Sequence, residues 1–264
     1  MYFGAMNFPA MPVLDEIDEF ARMGFDYLEL ALDPPLAHYT IIARDKGVIT
    51  RALQDNGMGL ICHLPTFVTT ADLTESLRRA SLSEMLNSLD LAAELGAGKV
   101  VLHPSMVSGM GVFVFEEVKK HALAFLSEMV DAAEEVAVKI CLENMFPRNQ
   151  LGVEPDYFEE VFRSFPTLDL TLDTGHANIG AVGGGRLQAL AERFGERIGH
   201  LHFSDNHGIR DDHLGIGRGN INFKALVQHL KSIGYDDTLT LEVFDKDRRV
   251  LGESRDLIKT FLSD

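Results

Sequence analysis

Basic residues are scarce. The chain carries 24 Lys and Arg against 40 Asp and Glu, a formal charge of −16. That balance repels phosphate backbones, leaves no basic footprint for nucleic acid, and so argues against DNA or RNA as a partner. Cysteine is scarcer still. Cys62 and Cys141 alone make no disulfide framework in 264 residues, which points to a reducing, cytoplasmic compartment with both thiols filling core. No apolar run approaches the roughly twenty residues of a membrane span. The N-terminal MYFGAMNFPAMPVLDEIDEF lacks the basic start and apolar stretch of a signal peptide. No low-complexity tract or linker divides the chain, so residues 1–264 are expected to form a single domain. No GxGxxG follows the first β-rich run, which weakens a doubly wound nucleotide-binding fold.

What the chain does have is one alternating pattern. Short β-rich runs occur at residues 2–7, 27–32, 59–64, 99–104, 139–144, 168–175, 198–205 and 238–244. Between them lie segments of helical periodicity, such as LDEIDEFARMGF and FEEVKKHALAFLSEMVDAAEEV. Several of these stop at glycine: Gly24, Gly96 and Gly234. Eight strands alternating with helices in this length predict an α/β fold, a (β/α)8 TIM barrel.

The last part of nearly every strand run carries a metal-ligand residue type: His63, His103, Glu143, Asp173, His202 and Glu242. The steps between them are 40, 40, 30, 29 and 40 residues, each one strand–helix unit. Side chains alternate across a strand, so Glu143 shares a face with Cys141, His202 with His200 and Ser204, and Glu242 with Thr240 and Thr238. All six therefore converge at the C-terminal mouth of the barrel, where barrel active sites are built. A lone histidine or glutamate at a strand end is usually just hydrogen-bonded or solvated. Six in register are different, because burying several unpaired carboxylates together costs several kcal/mol each, about, unless a cation neutralises them. The oxygen and nitrogen donors suit Mn, Mg, Co, Zn or Fe(II).

The motifs LEN at Glu143, LDTGHANIG at Asp173 and His176, HLHFSDN at His202, DDHLGIGRGNINF at Asp211 and His213, and LEVF at Glu242 resemble the xylose isomerase-like TIM barrels. That superfamily holds sugar and sugar-phosphate isomerases and epimerases, inosose dehydratases and endonuclease IV. The resemblance implies a metal tetrad of Glu143, Asp173, His202 and Glu242, with the two glutamates as acid/base pair and His176 touching substrate. It implies proton transfer through a metal-stabilised enediolate of a sugar or sugar phosphate. The resemblance to endonuclease IV implies a larger set of ligands for two or three zinc ions: His63, His103, Glu143, Asp173, His176, His202, Asp211, His213 and Glu242. The runner-up reading is therefore a multi-zinc phosphoesterase acting on abasic DNA. Dehydration of a cyclic polyol and a non-catalytic sugar sensor stay open, as does a homo-oligomer. Ketose 3-epimerases of the superfamily usually carry an Arg six residues after the metal histidine. Gly208 stands there, which argues against a free ketohexose.

Smaller features complete the expectation. Glu29 and Asn7 end the second and first strands and are candidates to hold a substrate hydroxyl. Phe8, Phe67, Met106, Met110 and Phe146 lie just past strand ends as candidate pocket walls. Gly183-Gly184-Gly185-Arg186 either cradles a phosphate or is a plain loop. Asp15, Glu16, Asp18 and Glu19 read as a solvated first helical turn.

Overall fold

The computed structural model describes the backbone of residues 1–264 and every side chain except that of Val182. Eight strands form a closed, all-parallel barrel in sequence order. They are β1 Tyr2–Met6, β2 Tyr27–Ala31, β3 Gly59–His63, β4 Lys99–Leu102, β5 Lys139–Glu143, β6 Asp169–Asp173, β7 Ile198–Phe203 and β8 Thr238–Leu241. The helices that separate them are α1 Val13–Met23, α2 Tyr39–Asp55, α3 Glu75–Glu94, α4 Phe115–Glu135, α5 Pro155–Ser164, a one-turn α6 Thr174–Asn178, α7 Gly185–Phe194 and α8 Phe223–Ser232, and α9 Arg249–Ser263 follows β8. The fold is thus the TIM barrel that the alternating pattern predicts. Among the described residues, no helix is long and apolar enough to cross a membrane.

Alternation along each strand sorts the core into two regions. Phe3, Leu28, Leu30, Val100, Leu102, Ile140, Leu142, Leu170, Leu172, Leu201, Phe203, Leu239 and Leu241 face outward and join the main apolar cluster under the helices. Inside the barrel the apolar cluster is only Tyr27, Ile61 and Val101. Much of the rest of the interior is polar, with Glu29, Thr171, His200 and Thr240 all fully buried. Gly199 sits where the β6–β7 register shifts. A Cβ there would press on Asp169 and the Cys141 thiol. The bulge still leaves His200 and His202 paired with Thr171 and Asp173 on the inner face.

Helix ends follow the sequence. Gly24 caps α1 with φ +79° and its N–H bonds back to Phe20 and Ala21. One expectation is corrected. Glu16 does not sit in a solvated turn; it is 2% exposed. One carboxylate oxygen accepts the Phe8 N–H at 2.8 Å and the other accepts from Arg248 at 2.8 Å, tying the loop after β1 to the start of α9. Burial pushes the Glu16 carboxyl up to about 7 against the opposing pull of the Phe8 N–H and Arg248. A carboxyl whose folded pKa is raised stabilises the fold most below its unfolded pKa and loses that contribution as pH rises through about 7. The melting temperature of the wild type relative to Glu16→Gln is therefore expected to fall between pH 5 and pH 8. Parallel melting curves across that range would reject the assignment.

Candidate metal centre

Glu143 is the hub. It ends β5, is fully buried, and draws imidazoles from four elements. His63 Nε2 lies 3.3 Å and His103 Nε2 3.0 Å from its Oε2; His176 Nδ1 lies 3.0 Å and His202 Nδ1 3.4 Å from its Oε1. Asp173, His202 and Glu242 complete a second group around the same carboxylate. One ligand atom from each of Glu143, Asp173, His202 and Glu242 falls within 4.8 Å of the others. His202 Nδ1 is 3.3 Å from Glu242 Oε1 and 3.8 Å from Asp173 Oδ2. A third group stands beside it. Asp211 Oδ2 is 3.2 Å from His176 Nε2 and 3.0 Å from His213 Nε2. All nine residues that the sequence nominates as ligands are thus brought to one end of the barrel.

Most of the imidazoles are aimed by a second contact. A histidine with one nitrogen tied to a fixed acceptor has its ring orientation set and, in the neutral form that a metal binds, turns the lone pair of the other nitrogen to the site. His63 Nδ1 is 2.8 Å from the Leu64 carbonyl, His176 Nδ1 3.0 Å from the Asn144 carbonyl, and His213 Nδ1 3.0 Å from the Glu242 carbonyl. Asn144 also clamps the neighbouring strand: its side chain accepts the Asp173 N–H and donates to the Asp173 carbonyl. Asp173 in turn caps α6 through the His176 N–H.

The donor set fits a divalent cation. Glu143 Oε1, Asp173 Oδ2, His202 Nδ1 and Asp211 Oδ1 are buried and lack any hydrogen-bond partner. Buried polar atoms are normally satisfied, so four orphans at one place mark a missing positive charge. The electrostatics agree. Burial opposes ionisation of Glu143, yet His103 and His202 hold it well below the usual carboxylate range. Burial pushes Asp173 up to about 8, helped by Glu143 and Glu242 and opposed by His176. His63 rises to about 9 despite burial, through its bond to Glu143. Asp211 is held below its ordinary range, against burial, by its bonds to His176 and His213.

The two candidate substrate residues differ. Asn7 is fully buried between β1 and β2, where its side-chain oxygen accepts the Ala31 N–H at 2.6 Å and its Nδ2 has no partner. Glu29 is also fully buried, and both of its oxygens are engaged, by His200 and His202 at 2.9 Å each. It lies under the site, not at a substrate hydroxyl. His200 lies one layer deeper than His202, bonded to Glu29 and Thr238. Of the candidate walls, Phe146 packs edge-on against His176 at 5.1 Å, and Phe8 stacks toward Phe244, whose ring lies 4.9 Å from His213. Phe67, Met106 and Met110 stay exposed. Arg186 spends its guanidinium on Glu154 and the carbonyls of Ala177 and Ile179, so GGGR closes α6 onto α7.

Sequence reasoning missed Asp205. It is fully buried just after β7, and its carboxylate accepts the backbone N–H groups of Asn206, Gly217, Gly219 and Ile221 at 2.8–3.2 Å. That carboxylate folds the loop carrying Asp211 and His213 back over the barrel. A Cβ at Gly219 would sit 2.3 Å from both the Asp205 carboxylate and the Asn206 carbonyl, which is why glycine stands there. An aspartate ten residues ahead of the spaced glycines Gly215, Gly217 and Gly219 is the signal that finds it. Asp205→Asn leaves an amide facing several donors. It is expected to cost about 2–3 kcal/mol and to speed hydrogen exchange at Gly217, Gly219 and Ile221; unchanged exchange there would refute the anchor.

Comparison with known proteins gives one consistent answer. Over 99% of its length the chain is 29% identical to the uncharacterized protein MJ1311 of Methanocaldococcus jannaschii, covering 89% of that protein. It is 28% identical to inosose isomerase of Bacillus subtilis over 84% of the chain and 81% of the relative, and 26% identical to L-ribulose 3-epimerase of a Methylomonas species over 86% and 77%. A crystal structure of a D-tagatose 3-epimerase-like protein superposes with a TM-score of 0.88 at 27% identity, covering 100% of this chain and 97% of the other. The model of the xylose isomerase-like TIM barrel matches residues 17–261, and the chain belongs to that family.

Proposed function

We propose that the protein is a divalent-metal-dependent isomerase or epimerase of a sugar or a related cyclic ketone. One observation carries it: two buried glutamates, Glu143 and Glu242, meet Asp173 and His202 with their ligand atoms within 4.8 Å, and three of these residues offer an orphaned atom. Relatives named as L-ribulose 3-epimerase and inosose isomerase support the substrate class. Glu143, Asp173, His202 and Glu242 would hold the metal. A bound divalent ion supplies positive charge at the substrate's carbonyl and neighbouring hydroxyl oxygens, where negative charge develops when a C–H proton leaves. The chain's own groups do the rest. Glu143 and Glu242 act on the two sides of the substrate: one takes the proton, the other returns it. The Asn7 Nδ2 offers a buried donor to a substrate oxygen. Phe146 and Phe244 keep apolar surface against His176 and His213.

Gly208 narrows the substrate. It adopts φ +78°, a conformation side chains rarely take, and its N–H is tied to the Asn206 side chain. No arginine can reach a sugar from this position, which favours a cyclic or modified ketone over a free ketohexose. The test is proton exchange. Metal-loaded protein incubated in D2O with ketoses, keto-glycosides and inososes is expected to incorporate deuterium beside the carbonyl, read by NMR. No exchange across all three classes would reject the proposal.

A second reading rests on Asp211, which lies 3.2 Å from His176 and 3.0 Å from His213 and would take part in holding an outer metal. Two or three zinc ions per chain with nicking of abasic duplex DNA would establish a phosphoesterase. The charge of −16 speaks against it.

A further inference from the structure

The barrel interior beneath the metal centre is where branched apolar side chains usually stack in layers. Here it holds a polar column, and every donor in the column points the same way. Lys99 can only donate; its Nζ lies 3.2 Å from the Thr238 hydroxyl. The Thr238 hydroxyl is 2.7 Å from His200 Nδ1. The Glu29 carboxylate can only accept, so His200 carries a proton on Nε2, 2.9 Å from Glu29 Oε2, and in its neutral form Nδ1 accepts the Thr238 proton. The Thr240 hydroxyl donates to the same oxygen, backed by the Tyr27 hydroxyl at 2.8 Å. His202 Nε2 lies 2.9 Å from the other oxygen, Glu29 Oε1. Glu29 thus collects three donors, and Glu29, His200, His202 and Thr240 are all at 0% exposure, so no water competes.

The consequence falls on His202. In the neutral imidazole that a metal binds, Nε2–H is given to Glu29, which leaves the Nδ1 lone pair facing Glu143, Asp173 and Glu242. A buried carboxylate with two imidazoles is a costly way to fill a barrel layer that apolar side chains fill freely. We propose that Glu29 and His200 are positioning residues: together with Thr240 they lock the tautomer and ring plane of His202, so that Nδ1 is preset for the metal. Glu29 is the anchor of His202, and His200 is the group that holds the anchor. The inference rests on the metal-dependent reading above.

The test uses the full chain and Co2+ alone, with no substrate. Affinity is read by competition with a chromogenic chelator, geometry by the visible absorption of the bound Co2+. Glu29→Gln places an amide donor against an imidazole donor, so one histidine must flip. It is expected to weaken Co2+ binding roughly 10–100-fold and to shift the visible bands. Thr240→Val is expected to weaken binding less, and Thr240→Ser, which keeps the hydroxyl, to restore it. Melting curves of the metal-free variants show whether each folds. If Glu29→Gln does not fold, the Thr240→Val and Thr240→Ser pair decides. Folded variants with wild-type affinity and spectrum overturn the proposal. So does loss of one whole Co2+ equivalent with the remaining bands unaltered, which would instead place a metal on Glu29, His200 and His202 themselves. Wild-type protein that takes up no Co2+ removes the metal-dependent reading itself, and the two failures are distinguishable.

Discussion

Glu143→Gln is expected to abolish deuterium incorporation beside the substrate carbonyl, with kcat down by at least about a thousandfold. The size follows from the position. Glu143 is the one carboxylate shared by the His63–His103 side and the Asp173–His202–Glu242 side. Gln keeps the shape but removes the charge that four imidazoles surround and puts a donor where a cation belongs. Metal and base are lost together, so metal content and exchange fall in parallel. Glu242→Gln is informative in a different way. Glu242 lies next to the mouth at 5% exposure and touches His202 alone within the tetrad. Its loss weakens the metal less, and it removes only one of the two acid/base partners. With metal retained, the variant is expected to exchange the proton of one epimer while interconverting neither, because the proton removed on one face finds no donor on the other. Wild-type exchange rates in Glu143→Gln, read by NMR in D2O, would sink the assignment.

What the sequence made legible, and what it hid, separate cleanly by range. The eight strands and their inward faces follow from local alternation, and the steps from His63 to Glu242 follow from a repeating strand–helix unit. Both are short-range regularities of the chain, so the convergence of these side chains at one end of the barrel is legible from the sequence. Asp211 and His213 came from a resemblance in the loop after β7 and not from spacing. Glu29 and Glu16 read as solvated because their partners are distant in sequence, and Asp205 was missed for a different reason. The partners of Glu29, His200 and His202, are 171 and 173 residues away across the barrel. Arg248 is 232 residues from Glu16. The amides that Asp205 gathers lie in a loop whose path no periodicity sets. A carboxylate at a strand end or in a first helical turn reads as solvated until closure of the barrel brings its partner to it. That closure also turned the layer under the site polar, which a strand-by-strand reading sees only as scattered threonines and histidines.

Removing metal is expected to lower the melting temperature by about 8–16 °C. A ligand at roughly a thousand times its dissociation constant adds about 4 kcal/mol to the folded state, and in a chain of this size each kcal/mol moves the midpoint by about 2–4 °C. Asp173 is one of the groups that set the sign of the pH dependence, and the imidazoles of His63, His202 and His213, all raised by the neighbouring carboxylates, act in the same direction. In the metal-free chain the Asp173 carboxyl is pushed by burial up to about 8, above its unfolded value, so it holds a proton at neutral pH. That proton stabilises the metal-free fold at low pH, and the contribution is lost as pH rises through about 8. A bound cation needs the carboxylate ionised and so displaces the proton. The gap in melting temperature between metal-loaded and chelator-treated protein should therefore widen from pH 6 to pH 8.5, with proton release on metal uptake measurable in a weakly buffered titration. Asp173→Asn removes one titrating group and should lessen that slope while weakening the metal. A gap that does not widen would mean that metal uptake displaces no proton, with Asp173 already ionised in the metal-free chain.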